Sequence, residues 1–352
     1  MTKVLFLYAE MVPSWLPTFQ VLTTNYSSEV DVVYWDKEVK TPYVPPSVKG
    51  VNYLARSSFS SEQLVTLAND GRYDIIFVSG WMDKGYMKAI YSARKRGVPV
   101  VTGFDDWWKG TIKQRLLSFC PKWIRKKFYS HAWVAGPRQY EYAKRIGFSD
   151  AEVIYNLLTC DTTIFRTQKI KKREPIFVYV GRFSPEKGID VLANAYKIYK
   201  EELNGTWGLT CIGNGPLKPD LEVLKDVELL PFSSASFIAE KFAQAGAFVM
   251  PSHRDFFGLV VQESACSGLP LILSSNVGAA SVFGIHNYNA FIFESGSAIE
   301  LANRMKQMES MDCEERVLMG KRSLELSYRN SPEVCAASFL SAIEYGYGFD
   351  KN

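Results

Sequence analysis

Between Ala247 and Ser275 the chain reads A-F-V-M-P-S-H-R-D-F-F-G-L-V-V-Q-E-S-A-C-S-G-L-P-L-I-L-S-S, and this run holds the side chains best suited to chemistry. A buried-strand pattern ends at Pro251, Asp255 follows, Gly258 opens a helical stretch, and Glu263 lies about one turn into it. A carboxylate at Glu263 can accept both hydroxyls of a ribose, while Asp255 can reach hydroxyls of an attached sugar. The amides of Phe257, Gly258, Leu259 and Val260 sit where a starting helix leaves N–H groups unbonded, free for phosphate oxygens. The spacing points to a nucleotide-sugar site. The plainer reading makes Asp255 an N-terminal helix acid and Glu263 a solvated helical residue.

Two further loops could serve the same ligand. Gly181-Arg-Phe-Ser-Pro-Glu-Lys-Gly188 follows the strand-like run Ile176 to Val180, so Gly181, Arg182 and Lys187 stand at a strand's carboxyl end. Two cations beside helix amides suit a diphosphate, although a solvated loop with a surface pair reads the same way. In Cys211-Ile-Gly-Asn-Gly-Pro216, Gly213, Asn214 and Gly215 would let backbone come close to a phosphate or base, or else serve turn geometry alone. His253 lies inside the donor run and would flank the sugar or simply face solvent; His131 and His286 read as structural. After a fourth strand, Asp105 and Asp106 offer either an acid near the reacting carbon or a cap for the next helix. They lack D-x-D spacing, and no metal ion is expected.

The elements that position these loops are short β-rich runs alternating with helix-length segments: Val4 to Tyr8, Val30 to Tyr34, Asp74 to Ser79, Val98 to Thr102 and Ala132 to Ala135. The rhythm restarts at Ile176 to Val180 and continues through Gly208 to Ile212, Val227 to Leu230, Ala247 to Met250 and Leu269 to Leu273. Two α/β domains with parallel sheets follow, with ligands expected at the carboxyl ends of the strands. Cys160 to Pro175, carrying the charged run Lys169 to Glu174, reads as a linker, with the boundary near residue 170. No G-x-G-x-x-G follows the first strand, which argues against a nicotinamide or flavin oxidoreductase.

A length of 352 residues with 47% hydrophobic content supports a sizeable core, and a net charge of +4 is too mild to announce a nucleic-acid binder. Six cysteines without a C-x-x-C pair read as reduced thiols. The first residues lack the pattern of a secretory signal, and no run approaches roughly 18 apolar residues, so a cytoplasmic protein is expected. Residues 107 to 140 contain no Asp or Glu, while Lys109, Lys113, Arg115, Lys122, Arg125, Lys126, Lys127 and Arg138 alternate with Trp107, Trp108, Phe119, Trp123, Phe128 and Trp133. Such a stretch suits contact with an anionic membrane surface, or else a basic face over the core; no nucleic-acid module accompanies it.

G-R-F-S-P-E-K-G, G-N-G-P and P-S-H-R-D-F-F-G-L-V-V-Q-E-S-A-C-S-G-L-P, in this order over roughly residues 175 to 295, resemble the family-4 retaining glycosyltransferases (glycosyl transferases group 1). The resemblance implies a GT-B fold, two facing Rossmann-like domains with a ligand cleft between them: an acceptor-side domain over 1–168, a nucleotide-sugar domain over 169–330, and a C-terminal helix over 331–352 returning to the first domain. It implies a hexosyltransferase of metal-independent type without a cofactor, moving a sugar from a UDP-, GDP- or ADP-sugar to a glycan or lipid-linked glycan, as in polysaccharide biosynthesis. Arg182 and Lys187 would bind the diphosphate, Glu263 the ribose and Asp255 the sugar hydroxyls. The chain departs from the family in having Asp255 where glutamate is usual, no glycine pair in residues 9 to 17, and Asp105-Asp106 where a histidine is common. A sugar-nucleotide epimerase and a noncatalytic sugar-nucleotide binder are the rival readings.

Overall fold

The computed structural model describes residues 1–9, 11–37, 44–70, 72–119, 122–166 and 173–346. Its compact units are Met1–Thr159 with Pro332–Asn352, and Cys160–Ser331. The boundary expected near residue 170, most of the charged run Lys169 to Glu174 and Cys120 lie outside the described residues.

The first unit holds β1 (Lys3–Tyr8), β2 (Glu29–Tyr34), β3 (Val51–Ala55), β4 (Ile75–Val78), β5 (Val100–Phe104), β6 (His131–Val134) and β7 (Val153–Ile154). They form one sheet in the order β3-β2-β1-β4-β5-β6-β7, parallel throughout. Its strands read as nearly continuous apolar runs, because helices cover both faces of a parallel sheet. One face buries an aromatic cluster of Phe6, Trp15, Phe19, Phe77 and Trp133. Phe339, from the helix Pro332–Gly346, stacks on Trp133 at 5.1 Å and meets Phe6 at 5.2 Å. That buried ring, worth about 1.5–3 kcal/mol by area, explains why the last helix groups with the first unit.

The second unit holds β8 (Ile176–Val180), β9 (Gly208–Ile212), β10 (Val227–Leu230), β11 (Ala247–Met250), β12 (Leu271–Ser274) and β13 (Ala290–Phe293), in the order β10-β9-β8-β11-β12-β13 and again all parallel. Together the two Rossmann-like units make a GT-B α/β fold. The sequence pattern had no signal for β3, β7 or β13: the first has only a half-buried surface, the second is two residues long, and the third follows a turn-rich segment.

The order of the second sheet fixes the site. From β8 the chain winds outward to β9 and β10, then returns to β11 on the other side of β8 and winds away from it. The loops after β8 and β11 therefore leave a pair of adjacent strands in opposite directions, which opens a crevice at their carboxyl ends.

Candidate active site

The two loops lining this crevice are tied together by backbone. Arg254 N donates to Glu186 O at 3.1 Å, Asp255 N to Asn276 O at 3.1 Å, and Gly278 N to Asp255 O at 3.0 Å. A one-residue parallel bridge thus forms between Asp255 and Val277, holding the 252–258 loop as a short extension of the sheet. Gly188 makes the approach possible. It starts the helix Ile189–Glu201 in the left-handed conformation (φ +68°), and a Cβ there would lie 2.2 Å from the carbonyl oxygen of Pro251. Gly258 likewise starts the helix Leu259–Cys266 at φ +84°.

The crevice brings Lys187 and Asp255 together as an ion pair, Nζ to Oδ2, with the carboxylate buried. The sugar-contacting acid and the phosphate-binding cation expected from sequence are therefore partners in this state. Arg182 is exposed and pairs with Glu186 at 3.1 Å. His253 meets both carboxylate oxygens of Asp190 at 3.1 Å, and its carbonyl accepts from Asn276 Nδ2 at 3.2 Å. Asp190, in the first turn of its helix, and Asn276 were not singled out by sequence; nothing in the spacing says that β8 and β11 are neighbours.

Glu263 is set apart from these pairs. Its carboxyl receives no hydrogen bond from any described residue and lies deep among protein atoms, while the residue as a whole stays partly open to solvent. Burial, followed by the neighbouring Cys266, pushes it up to about 7. At the start of the same helix the amides of Phe257, Gly258, Leu259 and Val260 donate to no described group, and the first backbone bond belongs to Val261, which donates to Gly258 O at 2.9 Å. An acceptor with open lone pairs and a row of open donors thus share one helix.

Gly213 and Gly215 are explained by packing. A Cβ at Gly213 would fall 2.0 Å from Gly181 O, and one at Gly215 2.3 Å from Phe183 O. Their missing side chains admit the 181–183 loop, whose Phe183 N donates to the carbonyl of exposed Asn214 at 2.8 Å. The close approach expected for a ligand is already taken up by the protein's own backbone on that side.

In the first unit, Asp106 accepts from Trp107 N at 2.8 Å and from Lys109 Nζ at 2.9 Å, which ties it into its own loop; Asp105 is exposed. The basic aromatic stretch divides. Arg125 is buried against Phe148 and paired with Glu152 at 2.9 Å, and Trp133 is in the core, so neither belongs to a surface. Ile112, Leu116 and Phe119 are 79%, 67% and 83% exposed and share one face of the helix Ile112–Ser118 and its cap by their i, i+4, i+7 spacing. Trp123 is exposed on the next short helix.

Residues 161–325 match the family described as Glycosyl transferases group 1. That segment, just under half of the chain, is similar to the group 1 glycosyltransferases. The group 1 segment covers the whole crevice just described. Sulfoquinovosyl transferase SQD2 of Arabidopsis thaliana is 27% identical over 46% of this chain and 33% of its own length. A 2-deoxystreptamine N-acetyl-D-glucosaminyltransferase of Niallia circulans is 27% identical over 42% of this chain and 39% of its own. The chain thus spans well under two thirds of the length of these curated relatives. Among solved structures, Anabaena Alr3699/HepE in complex with UDP and glucose superposes with a TM-score of 0.74 at 15% identity, covering 98% of this chain and all of that one (100%). A glycosyltransferase from Rickettsia africae ESF-5 gives 0.78 at 11% identity, covering 99% of each chain. At these identities the likeness is one of fold.

Proposed function

We propose that this chain is a retaining hexosyltransferase that moves a sugar from a nucleoside-diphosphate sugar to a glycan or lipid-linked glycan. The observation that carries the reading is Glu263, a carboxylate without a hydrogen-bond partner among the described residues, on the helix whose first amides are open in the same sense. A ribose diol satisfies the first and a diphosphate the second, so one ligand fills both needs. HepE's complexes with UDP and with UDP-glucose support a UDP-sugar as the first donor to try.

In this proposal the donor diphosphate takes Lys187 from Asp255 and recruits Arg182, and the released Asp255 carboxylate turns to the sugar hydroxyls. Negative charge on the departing nucleotide is met by Lys187, Arg182 and the amides of Phe257 to Val260. The acceptor hydroxyl attacks from the same face of the sugar while a donor phosphate oxygen helps to take its proton. Asp105 and Asp106 are the acceptor-side acids, and the cationic and amide donors meet the leaving-group charge without a metal ion. His253, braced by Asp190, keeps the 252–258 loop in register.

The acceptor side is proposed to work at the cytoplasmic face of an anionic membrane. No described helix is long and apolar enough to cross a bilayer. The exposed Ile112, Leu116, Phe119 and Trp123, flanked by Lys113, Arg115, Lys122, Lys126 and Lys127, suit shallow insertion beside acidic headgroups. The deciding experiment is transfer from UDP-, GDP- and ADP-sugars to lipid-linked and free glycans. Glu263→Ala and Lys187→Ala should each abolish transfer while keeping a folded spectrum. Wild-type turnover in either variant sinks the assignment.

A further inference from the structure

Cys160 opens the second unit and Cys266 ends the helix that carries Glu263; their sulfurs lie 3.7 Å apart, both buried. The contact is held from several sides. Cys160 N donates to Gln262 Oε1 at 2.9 Å, Gln262 Nε2 donates to Asn330 O at 3.1 Å, and Arg166 Nη2 donates to Ser327 O at 2.9 Å. We propose that Cys160 and Cys266 form an oxidisable pair that a peroxide closes to a disulfide, and that closure displaces the helix bearing Glu263.

The chemistry balances. The Cys266 thiolate attacks a peroxide oxygen, the O–O bond breaks, and water leaves with the thiol's former proton, giving a sulfenic acid. The Cys160 sulfur then attacks that sulfur, the S–O bond breaks, and a second water carries away the Cys160 proton. Two thiols and one hydrogen peroxide become one disulfide and two waters.

The surroundings assign the first attack to Cys266. A hydrogen bond with Cys160, aided by Ser327 and the Arg166 charge, holds its thiol below the usual range, whereas burial pushes Cys160 up. The solitary buried thiols contrast with it: burial drives Cys335 up to about 12 and Cys211 higher still. Bonding at about 2.05 Å from 3.7 Å requires the sulfurs to close by roughly 1.7 Å. Cys266 lies one turn beyond Glu263, so that movement is delivered to the last turns of the donor helix.

The test treats the reduced, intact protein with dilute hydrogen peroxide, blocks remaining thiols and maps peptides. A Cys160–Cys266 disulfide should form at least about 10-fold faster than any modification of Cys211 or Cys335, and a dithiol reductant should reverse it. Cys160→Ser should instead leave a sulfenic acid on Cys266 that dimedone traps. Both thiols staying reduced, or Cys266 oxidised without a crosslink, overturns the pair. The effect on the helix rests on the donor-site reading and is measured separately: UDP-glucose affinity should fall about 10-fold on crosslinking and recover on reduction, and unchanged affinity after full crosslinking overturns the displacement. If reduced protein fails to bind UDP-glucose, the donor-site reading fails while the peptide map still decides the pair.

Discussion

Glu263 makes donor binding depend on pH in a way that can be calculated. Its carboxyl titrates at about 7 because burial disfavours the charged form. Only the carboxylate can accept both ribose hydroxyls, and apparent affinity scales with the competent fraction. That fraction is about one in eleven at pH 6 and about ten in eleven at pH 8, so affinity should rise roughly 10-fold between them. UDP-glucose is the suitable probe, since its diphosphate diester does not titrate in this range. Calorimetric titrations from pH 5.5 to 8.5 should show affinity climbing below pH 7 and levelling above it, with Glu263→Gln binding weakly and without the slope. Stability should move the opposite way. The folded carboxyl holds its proton to higher pH than the unfolded one, so the unliganded protein loses stability as pH rises from about 4.5 through 7. A flat affinity profile in the wild type, or an unaltered slope in Glu263→Gln, refutes the assignment of this carboxylate to the ribose.

Other consequences are open to direct measurement. Lys187→Ala strands the buried Asp255 carboxylate, and urea denaturation should register a loss of about 1–3 kcal/mol, less in Lys187→Ala combined with Asp255→Asn. Gly188→Ala meets both a left-handed backbone and the Pro251 carbonyl, so a loss of at least about 2 kcal/mol is expected in the same assay, well beyond the usual glycine-to-alanine effect. Leu116→Asp with Phe119→Asp should weaken flotation with anionic vesicles by about 10- to 100-fold without changing the melting temperature, because both side chains are already in water; equal binding to neutral vesicles by the wild type would count against the surface.

Much of the second unit was legible in the residues themselves. Parallel strands buried on both faces must be apolar along their whole length, so Ile176 to Val180 and Ala247 to Met250 announce themselves, and the loops that follow them inherit a position at the carboxyl edge. Gly258 and Glu263 are local features of one helix start, and a local feature can be read from local spacing. By contrast, β3 and β7 sit at the rim of their sheet with too little burial or length to leave a pattern.

What sequence alone determined was therefore the inventory: which loops end strands, which helix carries an acid, and where the cations stand. What the tertiary structure decided was the pairing. Asp255 belongs with Lys187 and His253 with Asp190, because the chain returns to place β11 beside β8, and Cys160 meets Cys266 where the start of the second unit packs on the helix that carries Glu263. The adjacency of β8 and β9 surrounds Gly213 and Gly215 with backbone, and the Glu263 carboxyl has no hydrogen-bond partner among the described residues. Contacts between residues far apart in the chain follow from strand order, and strand order is a property of the whole sheet that no single segment encodes.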